Sequence, residues 1–318
     1  MRRQLRSFFG MIFGRPKPDP GTRVYLQTLS GLSPSLSPRT MIDAYDYDVV
    51  RAAVDAIARN AAKLKPRHIR RVGDEVHHVR SSIERLLAYK PNPYMDAYSF
   101  YYKVVTTWLL RNNAFIYPHR DEVTGEVSGF YPVVASSVEL LEAPDKVMYV
   151  RFRFGSGEQL TVPYDEIIHL RRFFYRHDIY SDDNKALTPT LDLIRTTDEG
   201  IATAVKSSAH IRGILKFTAM LKPEDIKEER DRFVREYLDI SNNGGVAATD
   251  AKAEYIPLEN KPIVVDAKQM DAIKDKVYSY FGVNEAIIKS RYREDEWNAF
   301  YESVLEPLAV QIDRKSVV

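Results

Sequence analysis

The sequence predicts an α+β protein whose two halves differ in character. Between residues 114 and 170, short apolar runs alternate with turn residues, the pattern of strands joined by turns. Two later segments, near 188–210 and 266–281, repeat apolar or small residues at helical spacing. Between them lies a short mixed stretch, 211–265, with a charged helix pattern set between strand-like runs.

Taken in order, residues 1–45 read as a flexible basic leader. Arg2, Arg3, Arg6, Arg15, Lys17 and Arg23 face only Asp19, and Pro, Gly and Ser are frequent, as in "SGLSPSLSPRT". The apolar run Phe8, Phe9, Met11, Ile12, Phe13 is too short to span a bilayer. Order is expected from about Asp46, where Val50, Ala53, Val54, Ile57, Ala58 and Ala61 mark one helix face. "LKPRHIRRVGDEVHHVR" reads as extended chain turning at Gly73–Asp74.

Ser81–Tyr89 is a short helix that Pro91 and Pro93 end, since proline lacks a backbone donor and restricts the preceding residue. Asp96 caps the next helix, and Tyr101, Val104, Val105 and Trp108 form its buried face. Asn112–Asn113 stop it, because asparagine tolerates the left-handed conformation. A strand, a turn at Thr124–Gly125 and a second strand follow. The segment from Lys146 to Leu170 then gives three more strands, turning at Gly155–Gly157 and around Pro163–Asp165.

In the second half, Thr188 caps and Pro189 opens a helix running to about His210, rich in small residues. "ILKFTAML" reads as a strand, Pro223 to about Leu238 as a charged helix, "SNNGG" as a turn, and "GVAATDAKAEYIPL" as a strand pair. Asp266 caps a helix with Met270, Ile273, Val277, Tyr280 and Phe281 on one face, and Gly282 closes it. The last helix carries Trp297, Phe300, Tyr301, Val304, Leu305 and Leu308, with a kink predicted at Pro307.

Composition removes several function classes. The chain has 318 residues, formal net charge +2 and no cysteine, which excludes disulfides and thiolate metal sites. Near-neutrality disfavours tight DNA gripping, which depends on neutralising phosphates. No phosphate-loop, dinucleotide, nucleophile-elbow or HExxH pattern is present.

The remaining polar clusters have simpler readings. His77 and His78, adjacent on a strand, point to opposite faces and read as surface residues. His169, on an apolar strand, reads as a satisfied core or interface histidine. Asp178, Asp182 and Asp183 lie in one loop and read as a solvated turn. Glu224 with Lys227, and Glu228 with Arg232, read as pairs along a solvated helix face. In "KSRYRED", Lys289, Arg291 and Arg293 alternate with Ser290, Tyr292 and Glu294, which suits either a surface loop or one that meets a polyanion.

Several segments together resemble one family. "RNAAKLKPRHIRR", "LLAYKPNPYMDAYSF", "LLRNNAFIYPHRD", "FYPVVASSVEL", "YDEIIHLR", "VYSYFGVNEAII" and "NAFYESVLEPLAVQID" occur in the order seen in HK97-like portal proteins of tailed bacteriophages. So does the stretch from Lys222 to Leu258, which resembles that family's clip helix, glycine turn and strand pair. Asn112 stands where the family usually has glycine and Asn284 where it has proline, and asparagine keeps the turn chemistry at both.

The resemblance implies a portal-type fold. It has an α/β wing at 46–187, a two-helix stem at 188–210 and 266–282, a small α/β clip at 211–265, and a tunnel loop with kinked helix at 283–318. Pro91, Asn92, Pro93, Asn113, Gly282 and Pro307 would be its structural motif residues. Family members continue further, so the resemblance also implies that a C-terminal wing or crown part is missing, as in a truncated or degraded prophage gene.

For function, the resemblance implies a closed ring of about twelve copies at a capsid vertex. Double-stranded DNA would be packaged and ejected through it. Its partners would be the terminase large subunit, a head–tail adaptor and the major capsid protein or scaffold. It implies no catalytic residue, cofactor, metal or small-molecule substrate. The location would be the virion, with the host cytoplasm during assembly. Lys289, Arg291 and Arg293 would face DNA, a few loop cations beside acidic neighbours, so that the polyanion is centred without being trapped. The rival readings are a metal-dependent nucleic-acid-processing enzyme using the Asp178–Asp183 loop, and a membrane-associated interaction protein using the basic arm at 1–17.

Overall fold

The computed structural model describes residues 23–25, 44–121, 123–144, 146–208, 213–217, 222–233, 253–257 and 267–315. The chain divides into two units, Met1–Asp192 with Asp271–Val318, and Leu193–Met270. Both divisions fall inside helices, Thr188–Ser208 and Ala267–Phe281. The leader upstream of Arg23, the turn at 241–245 and the Asp266 cap lie outside the described residues.

In the first unit, strand β1 (Arg23–Tyr25) precedes helix α1 (Asp48–Ala61), which buries Val50, Ala53, Val54, Ile57, Ala58 and Ala61 as the periodicity requires. The small residues on that face let a second helix approach closely. A hairpin of β2 (Ile69–Val72) and β3 (Glu75–His78) and a short helix α2 (Ser82–Ala88) follow. Helix α3 (Ala97–Arg111) packs on α1. The Asp96 carboxylate accepts from the Ser99 amide at 2.8 Å, and Tyr101, Val104, Val105 and Trp108 are buried. Asn112 ends α3 at φ 54°, the left-handed stop expected of asparagine.

The Pro91–Asn92–Pro93 stretch does more than end a helix. The Asn92 side-chain amide donates to the Phe130 carbonyl at 2.9 Å, and its oxygen accepts from the Tyr94 amide at 3.0 Å. The Pro91 carbonyl accepts from the Phe130 amide at 2.8 Å. The motif is thus fastened to the middle of the strand Val127–Val133.

Two antiparallel sheets share one core. The first has the order β5-β4-β9, with β4 at Asn113–Arg120, β5 at Val127–Val133 and β9 at Ile168–Arg171. The second has the order β1-β6-β7-β8, with β6 at Ser137–Glu142, β7 at Met148–Arg153 and β8 at Gln159–Pro163. Phe115 and Val133 of the first sheet cluster with Leu140, Val150, Phe152, Leu160 and Val162 of the second. Phe115 meets Phe152 edge-to-face, with ring centroids 5.1 Å apart.

Two strands were not anticipated. β6 carries Glu139, 6% exposed, which interrupts the apolar pattern; it is held by Arg153 at 3.0 Å and Arg151 at 3.6 Å. β1 lies inside the stretch read as leader and pairs with β6, Val24 opposite Leu141. Its three residues are too few to display a period.

The second unit contains β10 (Gly213–Phe217) paired antiparallel with β11 (Ala253–Pro257), and helix α5 (Pro223–Phe233). It also holds most of helix α4 (Thr188–Ser208). Thr188 is already helical, because a 3-10 turn at Lys185–Leu187 leads in ahead of it; it is not the cap expected. On α5, Glu224 and Asp225 sit in the first turn and Arg230 and Arg232 in the last, complementing the helix dipole. Arg232 pairs with Glu229 at 2.9 Å rather than with Glu228. Among the described residues, no helix is long and apolar enough to cross a membrane.

The first unit's tyrosines set its alkaline limit. Burial pushes Tyr101, Tyr164, Tyr180 and Tyr280 above the ordinary phenol range. Their contribution is fully present below pH 10, where the unfolded phenols are neutral, and is lost as pH rises through the folded values. Arg172 opposes this: burial pulls it down to about 10, so the cost of its buried charge eases as pH rises past that value. Four phenols outweigh one guanidinium, so the urea midpoint should fall as pH rises above about 10. The share of tyrosinate absorbance due to these four, read as the difference from Tyr→Phe variants at each, should appear only with unfolding; their release from folded protein would refute the account.

Candidate nucleic-acid interface

The three cations singled out by sequence are gathered by a chain of caps. Helix α6 (Ala267–Phe281) ends at Gly282, φ +83°. The Val283 amide donates to the Tyr278 carbonyl at 2.9 Å and the Gly282 amide to the Ser279 carbonyl at 3.1 Å. This double closure satisfies the helix's last carbonyls. Asn284 then caps a single helical turn, α7 (Glu285–Ile288), its side chain accepting from the Ile287 amide at 2.9 Å. The tunnel loop expected from residue 283 is therefore helical over Glu285–Ile288. Helix α8 (Glu294–Phe300) restarts where Glu296 reaches back to the Arg293 amide at 2.8 Å.

The loop between these turns is anchored from beneath. Arg59 of α1 donates to the Ile288 carbonyl at 3.2 Å and to the Ser290 hydroxyl at 3.4 Å, while Asp55 holds its other nitrogen at 3.2 Å. Asp55 also accepts from the Tyr102 hydroxyl at 2.9 Å. Tyr292 stacks on Trp297 with centroids 5.1 Å apart. Sequence reasoning missed Arg59 and Asp55, since an Asp–Arg pair at i, i+4 on a helix looks like any surface pair.

Lys289, Arg291 and Arg293 are all exposed, but their electrostatic states differ. The Lys289 ammonium lies 2.5 Å from Glu285 and holds that carboxyl below its usual range. Arg293 lies 3.6 Å from Asp295 and 4.0 Å from Glu296. Among the described residues, no carboxylate stands within 4 Å of Arg291. Among the described residues the loop thus presents one guanidinium without a direct ion pair, between two exposed ion pairs, a weak and shallow positive feature.

The helix continuing from this loop is not a simple proline kink. Tyr301–Leu305 form a π turn ahead of helix α9 (Glu306–Lys315), with the Glu306 amide donating back to the Tyr301 carbonyl. Pro307 has no amide to donate and its ring crowds the preceding turn. The wider turn lies directly ahead of that crowding. Further on, Gln311 accepts from the Arg171 amide at 3.0 Å, fixing α9 to the end of β9.

A buried polar cluster ties the end of α3 and the start of β4 to the segment 181–184. Asn112 donates to the Asp182 carbonyl at 2.8 Å and to the Asn184 side chain at 2.7 Å. Asn184 donates to the Leu110 carbonyl at 2.8 Å and accepts from the Tyr280 hydroxyl at 2.6 Å. Asn113 bonds His169 Nε2 at 3.0 Å and accepts from the Ser181 amide at 3.0 Å, and Tyr164 meets His169 Nδ1 at 2.9 Å. His169, 1% exposed with both nitrogens bonded, is the satisfied core histidine its strand predicted.

Arg172 completes the cluster. It donates to the Tyr280 carbonyl at 2.7 Å, and its guanidinium carbon lies 4.3 Å from the Phe173 ring centroid and 5.4 Å from those of Tyr280 and Phe281. Aromatic faces take the place of a carboxylate partner.

The other candidates separate into local roles. Asp183 pairs with Lys185 at 2.6 Å and Asp182 with Arg176 at 3.9 Å. His78 meets Glu84 at 2.7 Å and His77 meets Glu75 at 3.3 Å, all on the surface hairpin and the helix after it. Among the described residues, no group of three or more His, Asp or Glu side chains is placed to hold a metal ion.

Comparison with known proteins bears on this arrangement. Two relatives, the probable portal proteins of Lactococcus phages p2 and SK1, are each 23% identical over 238 residues, covering 74% of this chain and 54% of theirs. The chain thus spans about half the length of the curated relatives it matches. Among solved structures, a chain in the neck of a native gene transfer agent particle, computed with C12 symmetry, matches with TM-score 0.68 and 16% identity over 89% of this chain and 80% of its own. The neck of the empty particle, computed with C6 symmetry, gives the same score over 85% and 76%. The phage portal protein family model matches residues 48–315, nearly everything from α1 to the end of α9, and on that match the chain belongs to the phage portal protein family.

Proposed function

We propose that this chain forms a closed ring at the capsid vertex, through which double-stranded DNA is packaged and ejected. The observation that carries the reading is the family match over 48–315. The likeness to a chain of a neck computed with twelvefold symmetry supports the ring. Rotational closure demands head-to-tail contacts between identical subunits. In this reading α4 and α6 form the stem and the segment 211–265 the clip, where the terminase large subunit and then a head–tail adaptor dock. The major capsid protein or scaffold contacts the wing, and the portal itself hydrolyses nothing.

The loop at 289–293 faces the passing DNA, and its charge state suits a conduit. Each phosphate neutralised adds affinity and salt dependence, so a ring of strongly basic loops would hold DNA rather than pass it. Two of the three cations carry their own carboxylates, which leaves Arg291 as the principal contact.

Images of the purified protein should show rings. Reversing all three charges (Lys289→Glu, Arg291→Glu, Arg293→Glu) should leave the rings intact and reduce packaged DNA by about tenfold, weak phosphate contacts having become repulsive. Arg291→Ala alone should lower DNA retention more than Lys289→Ala or Arg293→Ala. Normal packaging by the triple variant would defeat the DNA-facing assignment. Monomers alone at all concentrations would defeat the ring.

A further inference from the structure

We infer that β1 is an exchanged strand: in the assembled protein, Arg23–Tyr25 of one copy completes the second sheet of a neighbouring copy at its β6 edge. This rests on the ring reading above. Three observations carry it. First, without β1 the edge of β6 presents an unpaired row of backbone groups over a strand whose Val138, Glu139, Leu140 and Leu141 are all buried. Such an edge is a template for any compatible strand.

Second, β1 is only three residues long, with Arg23, Val24 and Tyr25 opposite Glu142, Leu141 and Leu140. It is followed by the segment 26–43 before the first turn of the folded unit at Ala44–Asp46. Connections between consecutive elements of a compact domain are usually about 4–6 residues long. At full extension this one reaches about 60 Å, more than the diameter of a domain.

Third, the same pairing can form within a chain or between chains with identical contacts, so the choice is set by closure entropy and local concentration. In a ring, each sheet edge meets a neighbour's arm at high effective concentration. Exchange around the ring ties every copy to the next without any new surface. The occupant of the β6 edge is therefore a second copy's residues 23–25.

The absence of cysteine gives a clean test. Arg23 and Glu142 are directly opposed, and facing residues in an antiparallel pair lie within disulfide reach. Among the described residues Glu142 is paired with the exposed Lys146 at 3.7 Å, so Arg23→Cys with Glu142→Cys gives up one ion pair at a surface lysine. The full chain, assembled and then oxidised with diamide, should run on a non-reducing denaturing gel as a ladder of dimers and higher multiples. Co-assembly of an Arg23→Cys chain with a size-tagged Glu142→Cys chain should give the mixed dimer.

Val24→Cys with Leu141→Cys serves as a second pair at the neighbouring register. Rings that yield only monomeric, internally closed chains overturn the exchange and leave the ring reading standing. Rings in which neither pair oxidises also overturn it, since β1 then does not occupy β6. Protein that is monomeric before oxidation overturns both.

Discussion

Replacing Asn184 with leucine should destabilise the first unit by about 3–5 kcal/mol, seen as a lower urea midpoint and a melting temperature reduced by the order of 10 °C. Leucine keeps the branched heavy-atom outline, though its methyls are bulkier than the amide they replace. What changes is the hydrogen-bond inventory. Asn184 alone serves four groups: the Leu109 and Leu110 carbonyls at 3.3 and 2.8 Å, the Asn112 amide at 2.7 Å and the Tyr280 hydroxyl at 2.6 Å. At 8% exposure, few of these can turn to water. Leaving a buried polar group unsatisfied costs about 1–3 kcal/mol, which sets the expected size. Asn184→Asp keeps both acceptor functions and should retain the Tyr280 contact. Asn184→Ala opens space for a water and should cost less than leucine. A leucine variant as stable as the parent would show that the cluster contributes nothing.

Gly282→Ala should cost about 2–5 kcal/mol, from two separable sources. The backbone at φ +83° imposes a left-handed penalty on alanine of roughly 1–2 kcal/mol. A Cβ at this position would also stand 2.9 Å from the Val304 Cγ2 methyl, closer than carbon atoms can approach, and overpacking of that kind adds about 1–3 kcal/mol. Val304→Ala in the same chain should recover the second part and leave the first. Because Gly282 separates α6 from the loop, the variant should also disturb Asn284 and α7, read as faster amide exchange at Ile287 and Lys289. Full recovery by Val304→Ala would mean that backbone strain plays no part. No recovery would mean that the contact does not matter.

These variants fall where the sequence was legible to different degrees. Helix faces were readable because α1 and α3 each bury one stripe, and periodicity reports burial. Caps and stops were readable because Asp96, Asn112 and Gly282 are residue types tied to one backbone geometry each. The family could be read from the order of such punctuation more than from any single motif. What escaped were features whose signal is non-local. β6 hid behind a buried Glu139 whose Arg151 and Arg153 partners lie on the adjacent strand. No sequence pattern marked Arg172, which folding surrounds with Phe173, Tyr280 and Phe281. None marked Asn184 either, whose role depends on a helix end some seventy positions earlier.

The candidate loop was legible as a cluster of cations but not as a charge state. That Lys289 and Arg293 carry their own counter-charges follows from how α7 and α8 place Glu285, Asp295 and Glu296. Arg291 differs from its neighbours by position rather than by type.

The π turn at Tyr301–Leu305 amounts to one surplus residue in an otherwise regular helix. Each residue advances a helix by about 100°. Excising a single position there would restore the ordinary winding and leave everything beyond it facing as before, with Leu308 in the core and Gln311 on Arg171. The same excision within the regular winding between Leu308 and Gln311 would swing the residues after it by that angle and carry Gln311 away from Arg171. The register of the final helix is thus counted, not only packed.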